Sequence, residues 1–334
     1  MDPVSARLGY DALLEGLKAA AEDTRLRLLL LLGEAELTVS DLTDILGQSQ
    51  PRISRHLKLL AEAGLVERFR EASWAFYRRA AEGPGAELAQ ALLALVEPAD
   101  PVLARDRERL AEVRAARAAA AQAYFRKHAR QWDEIRKLHV AEAAVEAAIR
   151  EALAGVRIEA LLDLGTGTGR MLELFGPEIG RGVGIDLNPE MLAMARANLE
   201  RAGLKNCNVR QGDIYNLALG RDAFDVVIVH QVLHFLDDGG RAIREATRVL
   251  RPGGRLLVVD FAPHDLEFLR EQHAHRRLGF AAETVAQWMS AAGLDFVLHR
   301  ALAPEAGRQG ALTVSLWLGR DPRMLLAGSA REIA

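Results

Sequence analysis

Three glycines and three aspartates carry the chemistry that can be read most directly from this chain. Gly165, Gly167 and Gly169 stand at every second position of LLDLGTGTGR (161–170), after an apolar run and before a helical pattern. Strand, glycine turn and helix together present backbone N–H groups and a helix N-terminus to a ligand. Only a residue without Cβ allows the positive φ and close backbone approach of such a turn. Asp163 lies two residues before the first glycine, placed to meet a cationic group. Asp186 ends the next strand-like run, GVGID, seventeen residues after Gly169. A carboxylate there can accept hydrogen bonds from both hydroxyls of a ribose. Asp213 comes after a third run, in NVRQGDI (208–214). One aspartate at a strand end is usually a cap. Three at successive strand ends are harder to explain that way. A dinucleotide fingerprint needs a small residue at position 170, where this chain has Arg170. On the glycines alone a nicotinamide dinucleotide stays open as an alternative; the acids and the later strands disfavour it.

These groups need a scaffold of strands and helices to hold them. Asn188-Pro189 starts a helix carrying Met191, and Ala223–Val229 is apolar apart from Asp225, as suits a central parallel strand. That strand runs into His230-Gln231-Val-Leu-His234. A helix over Arg241–Leu250, a turn at Arg251–Gly254, a strand over Arg255–Asp260 and a closing pair, Asp295–Ala301 and Leu312–Leu318, complete the pattern. GxGxG with an acid just ahead, the three strand-end acids and RVLRPGGRLLVVDF (248–261) resemble class I S-adenosylmethionine-dependent methyltransferases, nearest to those of ubiquinone and menaquinone biosynthesis. The resemblance spans Leu161–Gly319. It implies a site for S-adenosylmethionine or S-adenosylhomocysteine built from Asp163, Gly165, Thr166, Gly167, Gly169, Arg170, Asp186, Leu187, Met191, Gly212, Asp213, Ile214, His230 and Gln231. It also places Tyr124 and Trp132, from an aromatic-rich stretch before the sheet (Ala123–Val140), in a lid over that site; packing of this stretch onto the sheet is the equal alternative. His230 is the candidate base if methyl transfer occurs, and His234 is expected to fix the loop. No acceptor can be read from the loop.

The first hundred residues ask for different chemistry. Between Gln48 and Arg79 the cations are Arg52, Arg55, Lys58, Arg68, Arg70, Arg78 and Arg79, against Glu62, Glu67 and Glu71. Such a local excess of positive charge suits phosphate contacts. It lies on a pattern of helix, turn (Gly47-Gln48-Ser49), helix from Gln50-Pro51 and two strands, Leu65–Phe69 and Trp74–Arg79. QSQPRISRHLKLLAEAGLVERFRE (48–71) resembles the recognition helix and wing of ArsR/SmtB-type repressors, and the resemblance covers roughly Ala6–Glu97. It implies a winged-helix homodimer on double-stranded operator DNA. Ser49, Gln50, Arg52, Ser54, Arg55, His56 and Lys58 belong to the recognition helix face, with Ser54, Arg55 and His56 toward base edges. Arg68, Arg70, Arg78 and Arg79 would position the DNA backbone. Where metal sensors of that family carry Cys-x-Cys, this chain has Thr38-Val39-Ser40, and hydroxyls are poor ligands for soft metals. No metal site is expected: Cys207 is the single cysteine, and His273 and His275 are read as diverging on one helix.

Length and composition bound the rest. At 334 residues, half of them hydrophobic and 27% charged, the chain suits two globular domains. It has no apolar run long enough to span a bilayer and no signal-peptide pattern at its start, so a cytoplasmic protein without a membrane partner is expected. The expected architecture is α/β. An α+β winged helix-turn-helix (1–97) is succeeded by a helical linker and lid (98–154), a doubly wound seven-stranded Rossmann-like methyltransferase sheet (155–320) and a tail (321–334). Within the linker the charge run from Val102 to Ala123 reads as a solvated helix. The expected function is a transcriptional regulator with the nucleoside as effector; the alternative is an active methyltransferase with its own DNA-binding domain.

Overall fold

The computed structural model describes residues 8–71, 74–81, 83–129, 132, 142–304 and 312–323. The chain divides into two compact units, Met1–Ala119 and Ala120–Ala334.

The first unit holds helices α1 (Tyr10–Ala20), α2 (Asp23–Glu34), α3 (Val39–Leu46), α4 (Gln50–Glu62) and α5 (Pro84–Ala94), with strands β1 (Leu37–Thr38), β2 (Val66–Glu71) and β3 (Trp74–Arg79). Local sequence sets these boundaries. Thr38 and Asp41 form a reciprocal capping box at the start of α3, and Gly47 in the left-handed conformation ends it. Pro51 sits in the first turn of α4, where its missing N–H costs nothing. Leu42, Ile45, Ile53, Leu57 and Leu60 are fully buried in one core with Leu28 and Leu29 of α2. The strands form an antiparallel sheet in the order β1-β3-β2. Two-residue β1 has no periodicity of its own and exists because Leu37 and Thr38 pair with Tyr77 and Phe76. The leucine-rich helix expected over Glu87–Glu97 is displaced to Pro84–Ala94, since Pro84 suits a first turn.

Helix α6 (Pro101–His128) crosses the boundary between the units. Its early part is not the solvated helix its charge run suggests. Asp106 is 2% exposed, and the guanidinium of Arg27 donates two hydrogen bonds of 2.7 Å to its carboxylate. Leu103 and Leu110 are buried beside it. A charge with a partner 79 residues away cannot be told from a solvated one by spacing alone.

The second unit is built on a seven-stranded sheet in the order β6-β5-β4-β7-β8-β10-β9. The strands are β4 (Ala160–Leu164), β5 (Arg181–Asp186), β6 (Cys207–Gln211), β7 (Phe224–His230), β8 (Leu250–Phe261), β9 (Asp295–Leu302) and β10 (Val314–Arg320). From β6 to β8 the pairing is parallel; β10 runs antiparallel to both β8 and β9. Helices α7 (Glu142–Ala152), α8 (Arg170–Phe175), α9 (Pro189–Arg201), α10 (Gly239–Arg248), α11 (Phe268–His273) and α12 (Ala282–Ala291) accompany the sheet. Strand β4 is buried along its whole length, and Leu162, Leu164, Val227, Val229, Leu256 and Val258 meet α10 and α12 in one core. Chain order reverses between β4 and β7, and sheets of this kind take ligands in the crevice beyond the carboxyl ends of such strands.

Two local expectations change. Arg251–Gly254 is not a turn before a strand but an irregularity inside β8. Leu250 pairs with Phe224 and Arg255 with Val226, so the extra residues bulge while the ladder continues. His275 does not share a helix with His273, because Ala274 is left-handed and ends α11.

Candidate functional site

The crevice is lined first by the glycine turn. Gly165, Gly167 and Gly169 have φ values of 71°, 52° and 88°, which a side chain would strain. The N–H groups of Gly165 and Thr166 donate to the Ile185 carbonyl, tying the turn to the end of β5. A Cβ on Gly165 would press into the methyls of Val232, and one on Gly167 would lie 3.6 Å from Nε1 of Trp132. Buried Asp163 accepts a 2.6 Å hydrogen bond from the Thr166 hydroxyl, so it stiffens the turn from below. Asn198 of α9 holds the exit of the turn by donating to the Thr168 carbonyl.

Asp186 is the centre of the next layer. Its two carboxylate oxygens accept from the N–H groups of Gly167 at 2.9 Å and Asn188 at 2.8 Å. Burial pushes this carboxyl above the usual carboxylate range, and the N–H donors of Asn188, Gly167 and Leu187 oppose that shift. Leu187 is exposed, whereas Met191 is buried and donates its N–H to the capping Asn188 side chain. The N–H of Gly212 bonds the Asp186 carbonyl, and the Asp213 carboxylate accepts from the Tyr215 N–H at 2.9 Å. Ile214 packs on the sheet core beside them. The sequence-named acids and glycines are thus brought to one edge.

Other candidates go elsewhere. The guanidinium of Arg170 forms two bonds, 2.6 and 2.7 Å, to Glu146 of α7, which holds it well above its ordinary pKa. His230 ends β7, and Gln231 has φ 54° with its N–H on the Val259 carbonyl. A buried non-glycine residue in that conformation is held by its surroundings. Tyr124 turns its hydroxyl to His273 Nδ1 at 2.7 Å and its ring to His128. Trp132 meets Phe125 edge-on with centroids 5.2 Å apart, and Phe125 meets Phe235 at 4.8 Å. His139 and most of Arg130–Val140 lie outside the described residues. His234 is buried, with Nδ1 2.8 Å from Asp260, and its ring packs against Phe235 and His275.

Sequence reasoning gave no part in this site to Phe235, Asp260, His275 or Gln122, whose partners lie far away in the chain. Among the described residues no group of three or more His, Cys, Asp or Glu is placed to hold a metal ion.

The cationic face in the first unit is differently made. Ser49, Gln50, Arg52, Arg55 and Lys58 are exposed along α4, and Arg68 and Arg70 along β2. Ser54 and Arg79 are half-buried. Arg78 is held by Glu67 at 2.9 Å and Glu36 at 3.5 Å, with its guanidinium over Phe69. His56 turns inward, 3.6 Å from Glu22, and burial lowers its pKa. A cleft of about 620 Å³ runs between Arg25, Ser49, Pro51, Arg52, Arg55, His56 and Leu59, so α2 adds Arg25, which the sequence did not single out. Thr38 is buried as a helix cap, its hydroxyl accepting from the Asp41 N–H.

Residues 162–258 match the methyltransferase domain family, and residues 22–68 match bacterial regulatory proteins of the arsR family. This chain joins an ArsR-family helix-turn-helix domain to a methyltransferase domain. The chain is 35% identical over 105 residues to an arsenite methyltransferase of Halobacterium salinarum, covering 30% of this chain and 27% of that protein. It is 36% identical over 110 residues to a ubiquinone/menaquinone biosynthesis C-methyltransferase of Pectobacterium atrosepticum, covering 32% of this chain and 44% of the relative. The chain therefore spans less than half the length of these relatives. The structure of the complex of Haloferax volcanii Trm112 methyltransferase activator with its partner matches 60% of this chain and 98% of the matched chain, with 22% identity and a TM-score of 0.50. That likeness concerns the fold alone. No helix among the described residues is long and apolar enough to cross a membrane.

Proposed function

We propose that this protein is a DNA-binding transcriptional regulator whose methyltransferase domain binds S-adenosylmethionine or S-adenosylhomocysteine as effector. The observation that carries the reading is the edge where the positive-φ glycine turn and the Asp186 carboxylate meet. A cradle that a Cβ would fill, beside a carboxylate with lone pairs to spare, fits a nucleoside with an amino acid end. Asp186 would hold the ribose hydroxyls and Asp213 with Ile214 the adenine, while the turn would approach the amino acid end. The cofactor, when bound, supplies a methyl group on a sulfonium. Phe125, Trp132 and Phe235 pack on one another beside Gly167, where they would lie against a bound nucleoside.

In the first unit, α4 and the wing would read operator DNA as a homodimer. Tyr10 (79% exposed), Leu13, Leu14 and Leu17 on α1, with Leu95 (84% exposed) after α5, give an apolar surface that a second copy would cover. We assign 1–97 to DNA binding and dimerisation, 98–154 to the linker and lid, 155–320 to ligand binding and 321–334 to a tail, in the cytoplasm. The test selects binding sites from random duplex DNA and titrates them with the protein, with and without each nucleoside. Equal DNA affinity in all three conditions overturns the effector reading.

A second reading, methyl transfer to a small acceptor with His230 as base, is favoured by the relatives' names and by the loop held at Gln231. The arsenite of one relative is a poor acceptor here, because the sequence offers one cysteine as a soft ligand. Release of S-adenosylhomocysteine from S-adenosylmethionine, dependent on an added acceptor, would establish this reading.

A further inference from the structure

The ribose-side carboxylate is connected by hydrogen bonds to a helix whose earlier turns bond the helix-turn-helix. Asp186 Oδ1 accepts the N–H of Asn188. The Asn188 side chain is 1% exposed and fully used. Its Oδ1 caps α9 through the Met191 N–H, and its Nδ2 donates to the Gln122 carbonyl at 3.2 Å and to Gln122 Oε1 at 3.0 Å. Gln122 belongs to α6, a continuous helix of 28 residues. Earlier on the same helix, within the first unit, Arg109 donates to the Ile45 carbonyl at 3.0 Å and Arg117 bonds the Asp41 carboxylate. Ile45 and Asp41 lie in α3, the helix before the recognition helix, and Asp41 is half of its capping box.

We infer that Asn188 and Gln122 form the joint through which occupancy at Asp186 is passed to α6, making Gln122 a positioning residue for the DNA response. The inference rests on the effector reading proposed above. Ribose hydroxyls donating to the remaining lone pairs of Asp186 load the same two oxygens that hold the N–H groups of Gly167 and Asn188, which shifts both bonds. A buried, doubly bonded asparagine cannot dissipate that change into solvent. It must carry Gln122 along or break its bonds, and close packing favours one of two discrete arrangements. At the far end the same helix stabilises the carboxyl terminus of α3 through Arg109 and its cap through Arg117. Coupling then requires only that the nucleoside bind one arrangement more tightly than the other.

The test uses the full-length protein and measures two quantities separately: S-adenosylhomocysteine affinity by calorimetry, and DNA affinity by fluorescence anisotropy with and without saturating nucleoside. Gln122→Ala removes the Oε1 acceptor; Gln122→Glu keeps an oxygen there. For Gln122→Ala the ratio of DNA affinities should move toward one by about fivefold, the worth of one neutral hydrogen bond. Nucleoside affinity should stay within about twofold in both variants, and Gln122→Glu should keep the wild-type ratio. Full coupling in Gln122→Ala, or equal loss in both variants, overturns the joint while leaving the effector reading intact. A large loss of nucleoside affinity in both would place Gln122 in the binding site itself and also overturn it. A wild-type protein whose DNA affinity ignores the nucleoside overturns the effector reading, and this inference with it.

Discussion

The two candidate sites solve opposite problems. On α4 and β2, Arg52, Arg55, Arg68 and Arg70 stand exposed and make no ion pair with any described residue, so their charge is available to a polyanion. At the sheet edge, Asp163, Asp186 and Asp213 each already accept a protein N–H or O–H, and Asp186 accepts two. A surface that meets phosphates through counterion release needs charge but little preorganisation. A crevice that distinguishes one nucleoside needs every polar group fixed before the ligand arrives. Free charge marks the first site and satisfied charge the second.

The largest effect should come from breaking the satisfied site. Asp186→Ala is expected to weaken S-adenosylhomocysteine binding by at least about 100-fold, from two lost hydrogen bonds to a charged group, as calorimetry would measure. The same group sets a pH dependence. Its folded pKa is raised, so acidification protonates it before an ordinary carboxylate, and nucleoside affinity should fall as pH drops through that raised value. An affinity that is flat from neutral pH down through the carboxylate range would contradict this.

Gly165→Ala comes next. Positive φ and the Val232 methyls both oppose a Cβ there, so thermal unfolding should show a loss of about 1–3 kcal/mol. The open site should respond more gently. Arg70→Ala is expected to reduce DNA affinity about tenfold at every sequence and to lower the slope of affinity against salt by about 0.9, as loss of one phosphate contact does. Loss confined to one operator base pair would instead place Arg70 on a base edge. The smallest effect concerns His264, whose pKa burial pushes down to about 4 from 6.5. Its unfolded form binds the proton first, so stability should decline as pH falls from 6.5 toward 4, and His264→Phe should flatten that part of the curve.

The parts of this molecule legible in sequence share one property: their cause lies within a few residues. Pro51 opens α4, and the glycines of 165–169 take positive φ because the chain must turn there from β4 into α8. The same locality made the three acids recognisable, since each lies in the last residues of a strand-like run or just beyond it. Where the cause was distant, the reading failed. Asp106 looked solvated until Arg27 supplied its partner, and Arg251–Gly254 looked like a turn until β7 supplied a ladder on both sides. His275 left its expected helix because Ala274 turned left-handed, which no helix-breaking residue announces.

Residue type and spacing were enough to point to two kinds of site, a cationic helix face and an acid-and-glycine turn, because propensity, capping and periodicity act over one or two turns of chain. Long-range packing alone settled that β10 enters between β8 and β9, that Trp132 lies against Gly167, and that Asn188 reaches Gln122 across 66 residues. Those contacts depend on how buried surfaces fit and which donors find acceptors once water is excluded, and neither is a property of any short stretch of sequence.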